Sequence, residues 1–127
     1  FIGETNFIDG VVRAVEGETV TVRTSLGALI GRIVPGHEAV DEGRQVRCCV
    51  RPEALDVVDP EPTVGRANQV TARVAHSIYL GDVEEFVLEA DGLELKAVMH
   101  NPGQHGRRVG DTVRLAFDAD DVVVLPR

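Results

Sequence analysis

With 127 residues, 43% of them hydrophobic and 27% charged, the chain has globular proportions and room for one compact domain or two very small ones. It is too short for most complete enzymes and too apolar for a disordered segment. Its 21 acidic against 13 basic residues leave a formal charge of -8, which repels a phosphate backbone, so nucleic acid is not an expected partner. No run approaches the ~20 apolar residues of a membrane helix, and the start lacks a basic-then-apolar leader, so direct membrane insertion is not expected either. A chain that opens on Phe1 is expected to be a piece of a longer reading frame.

Valine stands at 22 positions and no stretch has strong helical periodicity, which predicts an all-β fold. In chain order, strands are expected near 8–15, 19–23, 28–34, 46–50, 54–58, 69–79, 86–90, 93–97, 112–117 and 121–125, with short helical turns at 37–40 and 52–55. Thr19-Val20-Thr21-Val22-Arg23 and Leu93-Glu94-Leu95-Lys96-Ala97 alternate apolar and polar residues, placing one face of each strand on a core. Asp91-Gly92 between two such runs predicts a two-residue hairpin, because both positions tolerate positive φ.

Asp59-Pro60-Glu61-Pro62-Thr63-Val64-Gly65 interrupts the strands, since its prolines remove backbone donors. On either side the chain repeats itself at an offset of 67: Gly43-Arg44-Gln45-Val46 with Val57 parallels Gly110-Asp111-Thr112-Val113 with Val124. A looser parallel links Ile30 to Gly36 with Leu95 to Gly103, each a strand running into a Pro-Gly turn. The expectation is two related units, 1–58 and 66–127, joined by a linker at 59–65. Each unit is near a size that is marginal alone, so the two are expected to pack together. Short strands with Gly/Pro turns in units this small suit two partly open five-stranded barrels of the oligonucleotide/oligosaccharide-binding (OB) type, with a sandwich as the alternative.

Candidate chemistry is sparse. Adjacent Cys48 and Cys49 point to opposite faces of a strand, which predicts two reduced thiols rather than a disulfide or a shared metal. His37, His76, His100 and His105 lack zinc spacing, and Asp118, Asp120 and Asp121 lack the glycine and distal glutamate of a calcium loop, so a solvated hairpin turn is expected there. No metal site and no catalytic residue is assigned. Arg51-Pro52-Glu53 reads as a strand end, with Glu53 accepting backbone N–H groups at the following turn; the alternative is that Arg51 or Glu53 pairs with another subunit or domain of a larger assembly. Gly3, Asn6 and Gly81 are expected to serve backbone geometry, at positive φ or at a tight strand entry, and Tyr79, the single tyrosine, to be a core residue with its hydroxyl at the rim.

Phe1-Ile2-Gly3-Glu4-Thr5-Asn6-Phe7, Val50-Arg51-Pro52-Glu53, Tyr79-Leu80-Gly81-Asp82, and the closing Gly110-Asp111-x-Val113 and Val122-Val123-Val124-Leu125 together resemble the C-terminal TOBE regulatory region of ABC-importer ATP-binding subunits. The likeness spans essentially the whole chain and is strongest to the spermidine/putrescine (polyamine) branch. It implies two small barrel-like subdomains, with strands sometimes shared between them, and a nucleotide-binding domain upstream. It also implies a second copy of the same subunit as dimer partner, membrane permease subunits reached through the parent protein, and a cytoplasmic location at the inner face of the cell membrane. Glu4, Asn6, Arg51, Pro52, Glu53, Tyr79, Gly3 and Gly81 are the positions that carry the motif and hence the candidate partner contacts.

The chain has no Gly-x-x-x-x-Gly-Lys-[Ser/Thr] phosphate loop, so no cofactor is expected in it, ATP and Mg belonging to the implied parent ATPase domain. The leading functional expectation is an accessory domain that aids ATPase-subunit dimerisation and adjusts ATP-driven transport. The alternative is a sensor that binds a small ligand directly, an oxyanion or a polyamine; Glu84-Glu85 or Asp118 with Asp120-Asp121 are the carboxylate clusters that could meet a polycation. An RNA-binding barrel is a third reading, disfavoured by the acidic charge and by aromatics at 4%.

Overall fold

The computed structural model describes residues 4–36, 40–62, 64–100 and 107–127. Gly3, His37, His105, the Pro102-Gly103 pair and most of the helical turn expected at 37–40 lie outside these residues. Within them the chain forms β1 (Asn6–Glu16), β2 (Thr19–Thr24), β3 (Gly27–Ile33), β4 (Gln45–Val50), β5 (Asp56–Val58), β6 (Asn68–Tyr79), β7 (Val83–Ala90), β8 (Leu93–His100), β9 (Thr112–Phe117) and β10 (Val122–Pro126). Two 3-10 turns, Pro52–Ala54 and Ala119–Asp121, complete the all-β architecture. Asp91 at φ 48° and Gly92 at φ 80° join β7 to β8, as the hairpin reading requires.

The strands make a closed barrel in the order β1-β2-β3-β10-β4 and a five-stranded sheet in the order β5-β9-β6-β7-β8. The last strand of the chain therefore belongs to the first barrel, and β5 belongs to the second sheet. The two units expected at 1–58 and 66–127 thus trade their final strands, a sharing of strands that the family resemblance allowed for. β10 closes the first barrel because it bonds on both edges, antiparallel to β4 from Val122↔Val50 to Pro126↔Val46 and parallel to β3 at Arg32 and Ile33. β5 has three residues, pairs with β9, and turns the N–H of Val57 toward the Met99 sulfur of β8 at 3.4 Å, so the second sheet stays open at that seam. The first unit thus departs from the partly open form expected.

The internal repeat extends to the hydrogen bonds. Gly43 (φ 89°) donates its N–H to the Val12 carbonyl at 2.8 Å, and Gly110 (φ 94°) donates to the Val74 carbonyl at 2.8 Å. The Val12 N–H returns to Arg44 and the Val74 N–H to Asp111, both at 2.9 Å. A β-bulge follows in each case, between Val12 and Ala14 and between Val74 and His76, bending each long first strand around its own sheet.

Buried side chains of both sheets form one continuous core, including Ile8, Val22, Leu29, Val50 and Val124 from the barrel and Val74, Phe86, Leu115 and Phe117 from the second sheet. Alternation along β4 buries Val46, Cys48 and Val50 and turns Arg47 and Cys49 outward. Asp118, Asp120 and Asp121 do not form the expected hairpin turn. They build a 3-10 turn in which Asp118 and Asp121 cap each other's backbone, and the turn carries the chain from the second sheet to the first.

Candidate functional site at the junction of the two sheets

Asn6 and Asn68 stand at the heads of β1 and β6 and are both buried. Asn6 donates from Nδ2 to the Lys96 carbonyl and accepts the Lys96 N–H on Oδ1, each at 2.8 Å. Asn68 does the same to Ile30, at 2.9 and 2.7 Å. A primary amide carries one donor and one acceptor side, so it can satisfy a strand residue as a neighbouring strand would. Lys96 lies on β8, the terminal strand of its sheet, and Ile30 lies where β10 does not reach along β3. Each asparagine thus seals an open strand edge and ties one sheet to the other. Asn6 is extended backbone at the entry of β1 and does not take a positive φ.

Beside Asn6, Glu4, Thr5, Phe7, Glu94 and Lys96 line a cleft of about 510 Å³. Glu4 accepts from Lys96 Nζ at 2.6 Å. That bond holds the Glu4 carboxyl below its ordinary value and Lys96 above its own. Phe7 is largely exposed, with the Arg47 guanidinium 5.4 Å above its ring and Arg47 in turn bonded to Asp9 at 2.8 Å. The lysine of this cleft is therefore already matched by a carboxylate, which works against capture of an oxyanion.

The Arg-Pro-Glu motif adjoins this junction. β1 pairs with β4 so that Asn6 faces Val50, and Arg51, the exposed residue that follows β4, lines a pocket of about 390 Å³ with Thr5, Cys49 and Asp121. Arg51 makes no side-chain cap bond to the turn, and Pro52 is buried at its first position. Glu53 makes no hydrogen bond among the described residues, so the expected backbone cap is absent; it lies on the rim of a groove of about 490 Å³ with Leu80, Asp82, Val83, Glu85, Val98 and His100. Gly81 takes φ 91° in the β6–β7 turn, where a side chain is disfavoured. Tyr79 is 63% exposed at the end of β6 and is not the core residue expected. Asn6, Glu4 and Arg51 thus share the junction, Glu53 and Gly81 share the hairpin end, and the 3-10 turn at Pro52 lies between the two groups.

One feature was not assigned from sequence: Asn68, whose signal is an asparagine at the start of each repeat, spaced 62 residues apart. Glu84, expected as half of an exposed-type carboxylate pair with Glu85, is instead buried at 4% exposure, accepts from Ser77 Oγ at 2.6 Å, and lines a cavity of about 280 Å³ with Val57, Asp59, Phe86, Met99 and Arg107 at the open seam of the second sheet. Alternation along β7 places it inward, and the residue type gives no warning of this.

The stretch from β4 to β10, residues 48–125, matches the TOBE domain family. The chain belongs to the TOBE domain family. This TOBE domain is 37% identical over 129 residues to the spermidine/putrescine import ATP-binding protein PotA of Rubrobacter xylanophilus, covering 98% of the chain and 32% of the relative. It is 33% identical to the protein of the same name from Chromobacterium violaceum, covering 97% and 32%. The chain spans about a third of the length of these relatives. In fold, the TOBE domain is similar to the cytoplasmic molybdate-binding protein ModG, in a crystal form with molybdate bound, with a TM-score of 0.81 at 16% identity over 96% of each chain. The all-β, paired-barrel expectation and the likeness to the polyamine branch both hold.

Proposed function

We propose that this TOBE domain is the regulatory part of the ATP-binding subunit of an ABC importer of polyamine-type solutes, where it aids pairing of two ATPase subunits and adjusts ATP-driven transport. The observation that carries the reading is the match of 97 to 98% of the chain to spermidine/putrescine import ATP-binding proteins. The fold suits the role. A barrel and a sheet joined by traded strands, asparagine clamps and one shared core form a single packed body, through which a contact made on one side can bias what the other side touches. Coupling of this kind is typically worth about 1–3 kcal/mol. In this reading the partners are an upstream nucleotide-binding domain, a second copy of the subunit, and permease subunits at the inner face of the membrane. ATP and Mg act in the nucleotide-binding domain.

The test is uptake of radiolabelled spermidine and putrescine by cells carrying the full-length protein with its permease, compared with cells whose subunit lacks these 127 residues. Transport that loses its regulation or falls on deletion supports the reading; identical uptake contradicts it.

A second reading, direct sensing of a cationic amine, is favoured by the buried Glu84 carboxylate at the open seam of the second sheet. Melting the protein with spermidine, putrescine, molybdate and sulfate tests it. A saturable rise with an amine supports sensing, and flat curves leave the scaffold role alone.

A further inference from the structure

The outer face of β6, β7 and β8 departs from its counterpart on the first barrel. Strand pairing sets Ile78, Glu85 and Val98 in one row across the three strands. The same row on the first barrel, by the correspondence that matches Asn68 to Asn6 and Lys96 to Ile30, holds Glu16, Thr19 and Arg32. There Arg32 bonds Thr19 and Asp120 in the ordinary manner of a wet surface. The barrel fold therefore does not call for apolar residues at this place, yet the second sheet carries them.

Ile78 and Leu80 are 55% and 57% exposed. Leu80, Val83 and Val98 line the 490 Å³ groove, Glu53, Asp82 and Glu85 supply three carboxylates around it, and His100 is its one imidazole. An apolar centre inside a charged rim is the anatomy of a protein contact.

We propose that this groove docks an apolar surface flanked by arginine or lysine, located in the part of the parent polypeptide that lies outside these 127 residues. The proposal rests on the reading above, which gives the chain a parent about three times its length, as in relatives of which the match covers 32%. Charge selects the occupant. Two copies meeting through this face set one carboxylate rim against another, on chains that each carry -8, whereas a basic rim is complementary.

The test uses the full-length protein with Ile78→Cys or Glu16→Cys, two exposed positions that match each other across the repeat. Maleimide labelling is measured over the background of the unaltered protein. Docking predicts that Ile78→Cys reacts about tenfold or more slower than Glu16→Cys in the folded protein, that the rate is independent of protein concentration, and that high salt speeds it. Equal rates overturn the proposal. Protection that grows with protein concentration assigns the face to a second copy and also overturns it, and a slow rate indifferent to salt contradicts a basic occupant. ATP hydrolysis by the same preparation separates the two levels: its absence contradicts the importer reading, while equal labelling with hydrolysis intact contradicts only the docking surface.

Discussion

Asn6 and Asn68 occupy matching places at the heads of β1 and β6, and each clamps the backbone of a strand in the other sheet, Asn6 on Lys96 and Asn68 on Ile30. With β5 and β10 traded between the sheets, these clamps turn two marginal units into one body. Asn68→Ala leaves the Ile30 N–H and carbonyl without partners, and loss of both bonds is expected to cost about 2–4 kcal/mol. Urea denaturation measures this.

Asn68→Asp separates the clamp's chemistry from its shape. A carboxylate can accept from the Ile30 N–H but repels the Ile30 carbonyl, and burial raises its folded pKa above an unfolded value of about 3.9. The penalty is therefore full at neutral pH and fades as the pH falls through the raised folded value, where the acid form can donate. Stability relative to the unaltered protein at each pH shows whether the gap closes; a constant gap contradicts the reciprocal bond.

Part of this architecture was legible from residue types alone. Asp91-Gly92 announces its turn because few other pairs tolerate two positive φ values, and the repeat of Gly43 and Gly110 marks two equivalent turns. Asn6 was legible only in part: an asparagine at a strand entry suggests a backbone role, while the residue type does not say that its amide will serve as a substitute strand for the other sheet. The trading of β5 and β10 was not legible: the alternation around Val57 or Val124 says which face is buried, not which sheet accepts the strand. Tyr79 was misplaced because the second hairpin continues one residue pair beyond its counterpart, to Tyr79↔Glu84, and carries the ring past the core.

Gly31 lies against the traded strand. A Cβ there would sit 2.7 Å from Val124 Cγ2 and 2.8 Å from Val122 Cγ1. Gly31→Ala is expected to destabilise by about 1–3 kcal/mol and to loosen β10. Amide hydrogen exchange checks the second half: faster exchange at 122–125 is expected, and unchanged exchange there contradicts closure of the barrel by β10.

The Glu4–Lys96 pair predicts a pH window. The bond to Lys96 lowers Glu4 from 4.5, so its contribution is present above 4.5 and lost as pH falls through the lowered folded value. The bond to Glu4 raises Lys96 from 10.5, so its contribution is present below 10.5 and lost as pH rises through the raised one. The stability difference between the unaltered protein and Glu4→Gln should be flat between those limits and shrink outside them. A difference that is largest at acid pH contradicts the pairing.

The two cysteines are free and should behave differently. Burial, then the neighbouring Cys49 and Asp9, pushes the Cys48 thiol up to about 12, while Cys49, half-buried, is raised mainly by burial. Cys48 is expected to resist maleimide at neutral pH and Cys49 to react slowly, with both labelled at once after unfolding. Equal native rates contradict the inward and outward assignment along β4.

The most direct measurement of the regulatory account is ATP hydrolysis per subunit across a range of protein concentrations, for the full-length protein and for a form lacking these 127 residues. If the domain helps two ATPase subunits pair, its removal should raise the concentration at half-maximal rate by about tenfold, equivalent to about 1.4 kcal/mol of lost coupling. Superimposable curves would contradict the account.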